Sequence, residues 1–232
     1  MNSIIQANNL SKSFGSLQAL NNVNFSLQPG RIVGLLGPNG SGKTTLLKIM
    51  NGLLEPSGGE IRIGGELPGI ATKKIVSYLP ERTYLNDWMK VQDIITFFND
   101  FYEDFDPAKA HAMMDDMDID KTARLKTLSK GTKEKVQLIL VMARAAQLYL
   151  LDEPIGGVDP AARDYILRTI LNKYNPEACI MISTHLITDV EQIFDDIIFL
   201  KKGEVVLNDN VDDIRDREGK SIDMLFREVF KC

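Results

Sequence analysis

Residues 37–44 read Gly-Pro-Asn-Gly-Ser-Gly-Lys-Thr, a run that few folds can house. It follows an apolar, strand-like segment, Arg31-Ile-Val-Gly-Leu-Leu36. It opens a segment with Leu46, Ile49, Met50 and Leu53 spaced for one helical face. A strand that turns through glycines into a helix is the frame of a P-loop. Gly37, Gly40 and Gly42 let the backbone wrap closely round a polyphosphate, with Pro38, Asn39 and Ser41 completing the turn. The backbone N–H groups then point inward, and the start of the helix adds about half a positive charge. In this pattern Lys43 reaches the β- and γ-phosphates, the Thr44 hydroxyl ligates Mg²⁺, and Thr45, next on the helix, is counted with the loop among the nucleotide-binding residues.

The rest of the composition is that of an ordinary globular chain. With 232 residues there is room for one large α/β domain or two small ones, and 44% hydrophobic with 25% charged residues excludes a disordered chain. A formal net charge of -5, with no concentrated Lys/Arg block, argues against a nucleic-acid partner. The two cysteines, Cys179 and Cys232, lack metal-ligand spacing and fit a reducing compartment. Met1–Asn8 has neither a basic nor an apolar leader region, and no run approaches the roughly 18 apolar residues of a membrane span. The expectation is a cytoplasmic chain that works at a membrane only by docking on a partner.

Element order places the loop in an α/β frame. Weak alternation through Ile4–Ala7 and Val23–Leu27, ending at Pro29-Gly30, predicts antiparallel strands, and residues 57–65 repeat that texture. From about residue 90 the spacing becomes helical, with Val91, Ile94, Ile95, Phe98 and Tyr102, and again with Val136, Ile139, Leu140 and Ala143. Leu148–Leu151 and Cys179–Ile182 are continuous apolar runs, as in parallel strands buried on both faces. The segment from Asp209 to Lys220 reads as a solvated helix face.

Leu148-Tyr-Leu-Leu-Asp-Glu-Pro154 is an apolar strand ending in two carboxylates. Strand C-termini face the ligand crevice of such a sheet, which would bring Asp152 to the Mg²⁺ held by the loop. Glu153, one step on, can orient or deprotonate a water for in-line attack on the γ-phosphate. Taken alone, the acidic pair could also begin a loop or cap a helix. Met181-Ile-Ser-Thr-His185 closes another apolar strand with a histidine able to link the γ-phosphate to Glu153. His111 lies in the polar helical stretch and receives no role.

These features together resemble the ATP-binding subunits of ABC transporters, from about residue 3 to about residue 210. The resemblance rests on the P-loop, on Leu150-Leu-Asp-Glu-Pro154, on Ile155-Gly-Gly-Val-Asp-Pro160 in the place of the D-loop with Asp159, and on Ser183-Thr-His185. It implies an α/β P-loop NTPase of RecA-like type, with a mostly parallel sheet, an antiparallel β subdomain and a helical insertion. It divides a single domain, 1–232, into a β subdomain plus P-loop core at 1–80 and 148–210, a helical subdomain at 81–147 and a C-terminal helical tail at 211–232. Catalysis falls to Glu153, His185 and Lys43. Phe14, in Leu10-Ser-Lys-Ser-Phe14-Gly, matches the aromatic that stacks on adenine, so ATP is the expected nucleotide; a core role is the alternative for that ring.

Leu128-Ser-Lys-Gly131 stands in the place of the family signature Leu-Ser-Gly-Gly-Gln, with Lys130 and Thr132 as departures. The resemblance assigns Ser129 and Gly131 to the ATP of a second subunit, which implies a homodimer or heterodimer; Ser129 could instead simply cap its helix. Glu81, in Tyr78-Leu-Pro-Glu81, replaces the frequent glutamine and joins Thr44 and Asp152 as an expected Mg²⁺ ligand. Leu-Pro-Glu with Leu-Ser-Lys-Gly resembles the bacterial branch that pairs with exporter-type, ABC-2-like membrane proteins. The expected function is an ATPase driving export through an integral membrane permease, located on the inner face of the membrane through that partner. The alternative is a regulatory or scaffold ABC ATPase without cargo. DNA-repair and translation ABC ATPases are disfavoured, since the chain has one P-loop and no sustained heptads.

Overall fold

A computed structural model describes residues 3–156, 160–173 and 175–231. In chain order its elements are β1 (Ile5–Phe14), β2 (Leu17–Leu27), β3 (Ile32–Leu36), α1 (Lys43–Met50), β4 (Gly58–Ile63), α2 (Ile70–Lys73), β5 (Val76–Leu79), α3 (Val91–Phe101), α4 (Pro107–Asp116) and α5 (Lys130–Met142). There follow β6 (Leu148–Asp152), α6 (Pro160–Lys173), β7 (Cys179–Thr184), β8 (Asp196–Lys201), β9 (Glu204–Asn210), α7 (Val211–Glu218) and α8 (Ile222–Phe230). The mostly parallel sheet, the antiparallel sheet and the helical stretch expected from the sequence are all present.

A six-stranded sheet in the order β5-β6-β7-β3-β8-β9 forms the centre, parallel except for the β8–β9 pair, and β2-β1-β4 form a separate antiparallel sheet. Strands β3, β6 and β7 are buried at every residue, so period 2 shows up not as polar alternation but as a division between two cores. Leu148, Leu150, Cys179 and Met181 face α1 and the antiparallel sheet. Tyr149, Leu151, Ile180 and Ile182 face the helices of the other layer. Cys179 belongs to the first core; burial pushes its thiol up to about 12, so it packs as an unreactive small side chain.

Helix α1 ends earlier than the apolar spacing suggests. It stops at Met50, and Gly52 turns the chain at φ 65, so Leu53 leaves the helical face and stands 54% exposed. The reason is local: a glycine in the left-handed region ends a helix whatever apolar residue follows it.

Helix α5 is tied to β5 and to the loop beyond it by side chains reaching backbone oxygens. Gln137 Nε2 donates to the Pro80 carbonyl at 3.1 Å, Ser77 Oγ to that of Val141 at 2.9 Å, and Arg144, just past the helix, donates through Nη1 to Val76 at 2.6 Å. Arg144 is 4% exposed. Its guanidinium also binds both Asp104 oxygens at 2.9 to 3.2 Å, donates to the carbonyls of Lys73 and Lys74 at 3.2 Å, and lies 4.0 Å from the Tyr102 ring centre. One buried cation therefore joins the α3–α4 connection, the end of α2 and the edge of the sheet.

Candidate functional site

The P-loop sits where β3 leaves the sheet, and its backbone explains its residues. Gly42 has φ 110, and a Cβ there would fall against the Ala19 carbonyl oxygen and Leu20, so only glycine fits. At Gly37 a Cβ would fall on the Leu200 carbonyl oxygen and the Ser41 hydroxyl. Lys43, the first residue of α1, is buried; its Nζ donates to the Gly37 carbonyl at 2.7 Å and lies 3.6 Å from Glu153 Oε1. Burial lowers the Lys43 pKa, and the carboxylates of Glu153, Asp152 and Glu81 oppose that shift.

Asp152 ends β6 on the α1 side, 1% exposed. Its Oδ1 accepts from Ser183 Oγ at 2.6 Å and from Thr44 Oγ1 at 3.2 Å. Its Oδ2 is buried and has no hydrogen-bond partner among the described residues. Burial raises the Asp152 pKa, against the pull of those two hydroxyls. A carboxylate oxygen left open beside the Thr44 hydroxyl is the donor set of a hard divalent cation such as Mg²⁺, and a buried carboxylate oxygen with no donor is costly otherwise.

Glu153 follows with a left-handed backbone, φ 51, a conformation costing a non-glycine residue about 1–2 kcal/mol. Its N–H is held by the Ser183 carbonyl at 3.0 Å and by Ser183 Oγ at 3.1 Å. Its side chain is 11% exposed, with Oε2 3.0 Å from His185 Nδ1. A carboxylate can only accept, so the imidazole donates through Nδ1.

Lys43, Thr44, Glu153 and His185 open on one cleft of about 1110 Å³, lined also by Phe14, Asn39 to Thr45 and Glu81, among others, whereas Asp152 lines an adjoining one. Phe14 is 46% exposed, so its ring is not used in a core, and Lys12 Nζ lies over the ring 5.1 Å from its centre. Ser129 and Gly131 do not line this cleft, although Lys130 beside them does. Ser129 caps α5, its Oγ accepting from the Thr132 N–H at 3.1 Å. Asp159 lies outside the described residues.

Glu81 also borders a second cleft of about 770 Å³, walled by Leu53, Tyr78, Tyr84 and Tyr102 and rimmed by Lys48, Lys73 and Arg82. Sequence reasoning misses this second cleft and the ties of Ser183 and Arg144, because each is assembled from segments far apart in the chain.

Comparison with known proteins gives the same picture. The profile of the ABC transporter family matches residues 20–156. An uncharacterized ABC transporter ATP-binding protein of Methanocaldococcus jannaschii is 33% identical over 216 residues, 90% of this chain and 79% of its own. The SkfA peptide export ATP-binding protein SkfE of Bacillus subtilis is 32% identical over 209 residues, 88% of this chain and 87% of its own. A solved ATP-binding subunit of an ABC transporter superposes with a TM-score of 0.88 at 28% identity, over 98% of this chain and 100% of that one.

Proposed function

The chain belongs to the ABC transporter family, and from that premise we propose that it is the ATP-binding, ATP-hydrolysing subunit of an exporter, closing on a second copy or partner chain to drive a separate membrane subunit. The carrying observation is convergence at three strand ends: Lys43 and the His185–Glu153 pair line one cleft, and Asp152, just before Glu153, keeps a buried, unpaired oxygen while its other oxygen meets Thr44 of that cleft. Lys43 and the loop amides bind the phosphates, and Phe14 stacks on adenine. Thr44 and Asp152, with Glu81, would hold Mg²⁺, which when bound offsets charge on the phosphate oxygens. Glu153 takes the proton of the attacking water while His185 keeps its carboxylate oriented.

Ser129 and Gly131 do not line the cleft of their own chain, although Lys130 between them does, which supports their assignment to a second subunit's nucleotide. Among the described residues no helix is long and apolar enough to cross a membrane, so the membrane step needs a partner. The helices within 81–147 form the unit that moves against the core of 1–80 and 148–210, with 211–232 as a tail. The second cleft, with aromatic walls and a basic rim, is where the membrane subunit bears on Glu81. A peptide exporter among the relatives supports export over the scaffold reading. A tagged chain extracted in mild detergent is expected to co-purify with an integral membrane protein; recovery with soluble proteins alone would favour the scaffold instead.

Glu81→Gln tests the division of labour. Oxygen ligation survives that change, so turnover is expected to stay far above the roughly 100-fold loss that removing an acid–base group causes. A collapse of turnover would give the Glu81 carboxylate a chemical duty beyond ligation and coupling.

A further inference from the structure

The C-terminal end of β7 carries a residue that touches both acidic residues of the site, the carboxylate of Asp152 and the backbone N–H of Glu153. In the parallel β6–β7 ladder Ser183 pairs directly with Asp152, so both side chains leave the sheet on the α1 side. Ser183 is fully buried. Its hydroxyl hydrogen goes to Asp152 Oδ1 at 2.6 Å, the shortest contact Asp152 makes, and its oxygen accepts the Glu153 N–H at 3.1 Å. Thr44 also donates to Oδ1, at 3.2 Å, so both hydroxyls saturate one oxygen and leave Oδ2 bare.

We propose that Ser183 is a positioning residue that decides which oxygen of Asp152 is presented to the divalent cation. A carboxylate at a strand end can rotate about its last bond, and its two oxygens are chemically equal until a donor distinguishes them. Thr44 alone is a weak choice for that task, since its oxygen is itself an expected metal ligand and its bond to Asp152 is longer. Ser183 has no such second duty toward the metal. Its other bond, to the Glu153 N–H, duplicates the one made by its own carbonyl, so loss of the hydroxyl leaves the backbone of Glu153 still held. The effect of losing it is therefore directed at Asp152. Donors that orient a ligating carboxylate are worth about 10–100-fold in metal affinity.

The proposal rests on the reading of Thr44 and Asp152 as metal ligands, and the test separates the two. Binding of a fluorescent ADP analogue is titrated with and without Mg²⁺ in the wild-type chain, Ser183→Ala and Ser183→Thr. The wild-type chain is expected to bind more tightly with Mg²⁺. Ser183→Ala is expected to keep the metal-free affinity while its half-saturating Mg²⁺ concentration rises about 10–100-fold. Ser183→Thr, which retains the donor, is expected to restore the response. Should the alanine variant fail to fold, Ser183→Cys, close in size but a weak donor, is expected to show the same rise. A Ser183→Ala chain with wild-type Mg²⁺ response overturns the proposal, as does a loss of affinity equal with and without the metal. A wild-type chain indifferent to Mg²⁺ overturns the metal reading itself and the proposal with it.

Discussion

Replacing Glu153 with glutamine is expected to cut ATP turnover by at least about 100-fold, the usual cost of removing a general base, while nucleotide affinity stays near that of the wild type. The two effects separate because of where the groups sit. The phosphate cradle is made by the loop backbone and Lys43, whose Nζ has the Gly37 carbonyl at 2.7 Å as its shorter contact and Glu153 only at 3.6 Å. Glutamine keeps the shape of Glu153 and can still accept from His185 Nδ1 through its amide oxygen, so the site stays assembled. What disappears is the carboxylate proposed to take a proton from water. With hydrolysis blocked, the chain in ATP and Mg²⁺ is expected to accumulate as a dimer. Phosphate release and light scattering on a sizing column read the two effects. Unchanged turnover would take Glu153 out of the chemical step.

Arg144→Ala carries the largest expected effect on stability. Breaking a buried ion pair by removing one partner costs about 3–5 kcal/mol; the value here belongs near the lower end, because Asp104 keeps some contact with water. For a chain of this size each kcal/mol moves the midpoint of thermal unfolding by about 2–4 °C, so a fall of roughly 6–12 °C is expected. The loss exceeds that of a surface pair because three backbone carbonyls, those of Lys73, Lys74 and Val76, lose their donor together. Arg144→Lys is expected to recover little of it, since an ammonium cannot reproduce the planar fork that meets Asp104 while lying over Tyr102. A melting point within 2 °C of wild type for the alanine variant, a range ordinary for surface changes, would show the contact to be dispensable.

The contrast between these two residues explains what a sequence can reveal of such a site. Asp152 and Glu153 announce themselves because the chemistry and the strand that presents it are contiguous: four apolar residues, then two acids. The P-loop is legible for the same reason. Leu53 shows the limit of local pattern even at short range, since Gly52 overrides an apolar spacing that otherwise continues. Ser183 and Arg144 are silent because their meaning lies in register and crossover. A serine in an apolar strand is unremarked until the β6–β7 ladder sets it against Asp152. An arginine after a helix looks solvated until three other segments close over it. Ser129 is legible only through its surroundings in the motif, for within one chain it does no more than cap α5.

Glu81 borders both clefts, the one that holds the P-loop and the one walled by Tyr78, Tyr84 and Tyr102. If a ligand in either cleft shifts Glu81, the two cavities are thermodynamically reciprocal. Whatever factor a membrane subunit seated in the second cleft imposes on nucleotide affinity, the nucleotide must impose the same factor on the hold of that subunit. Sensing and driving are then one free energy viewed from opposite ends. On the proposed reading, loading of a membrane partner in that cleft primes the ATP site.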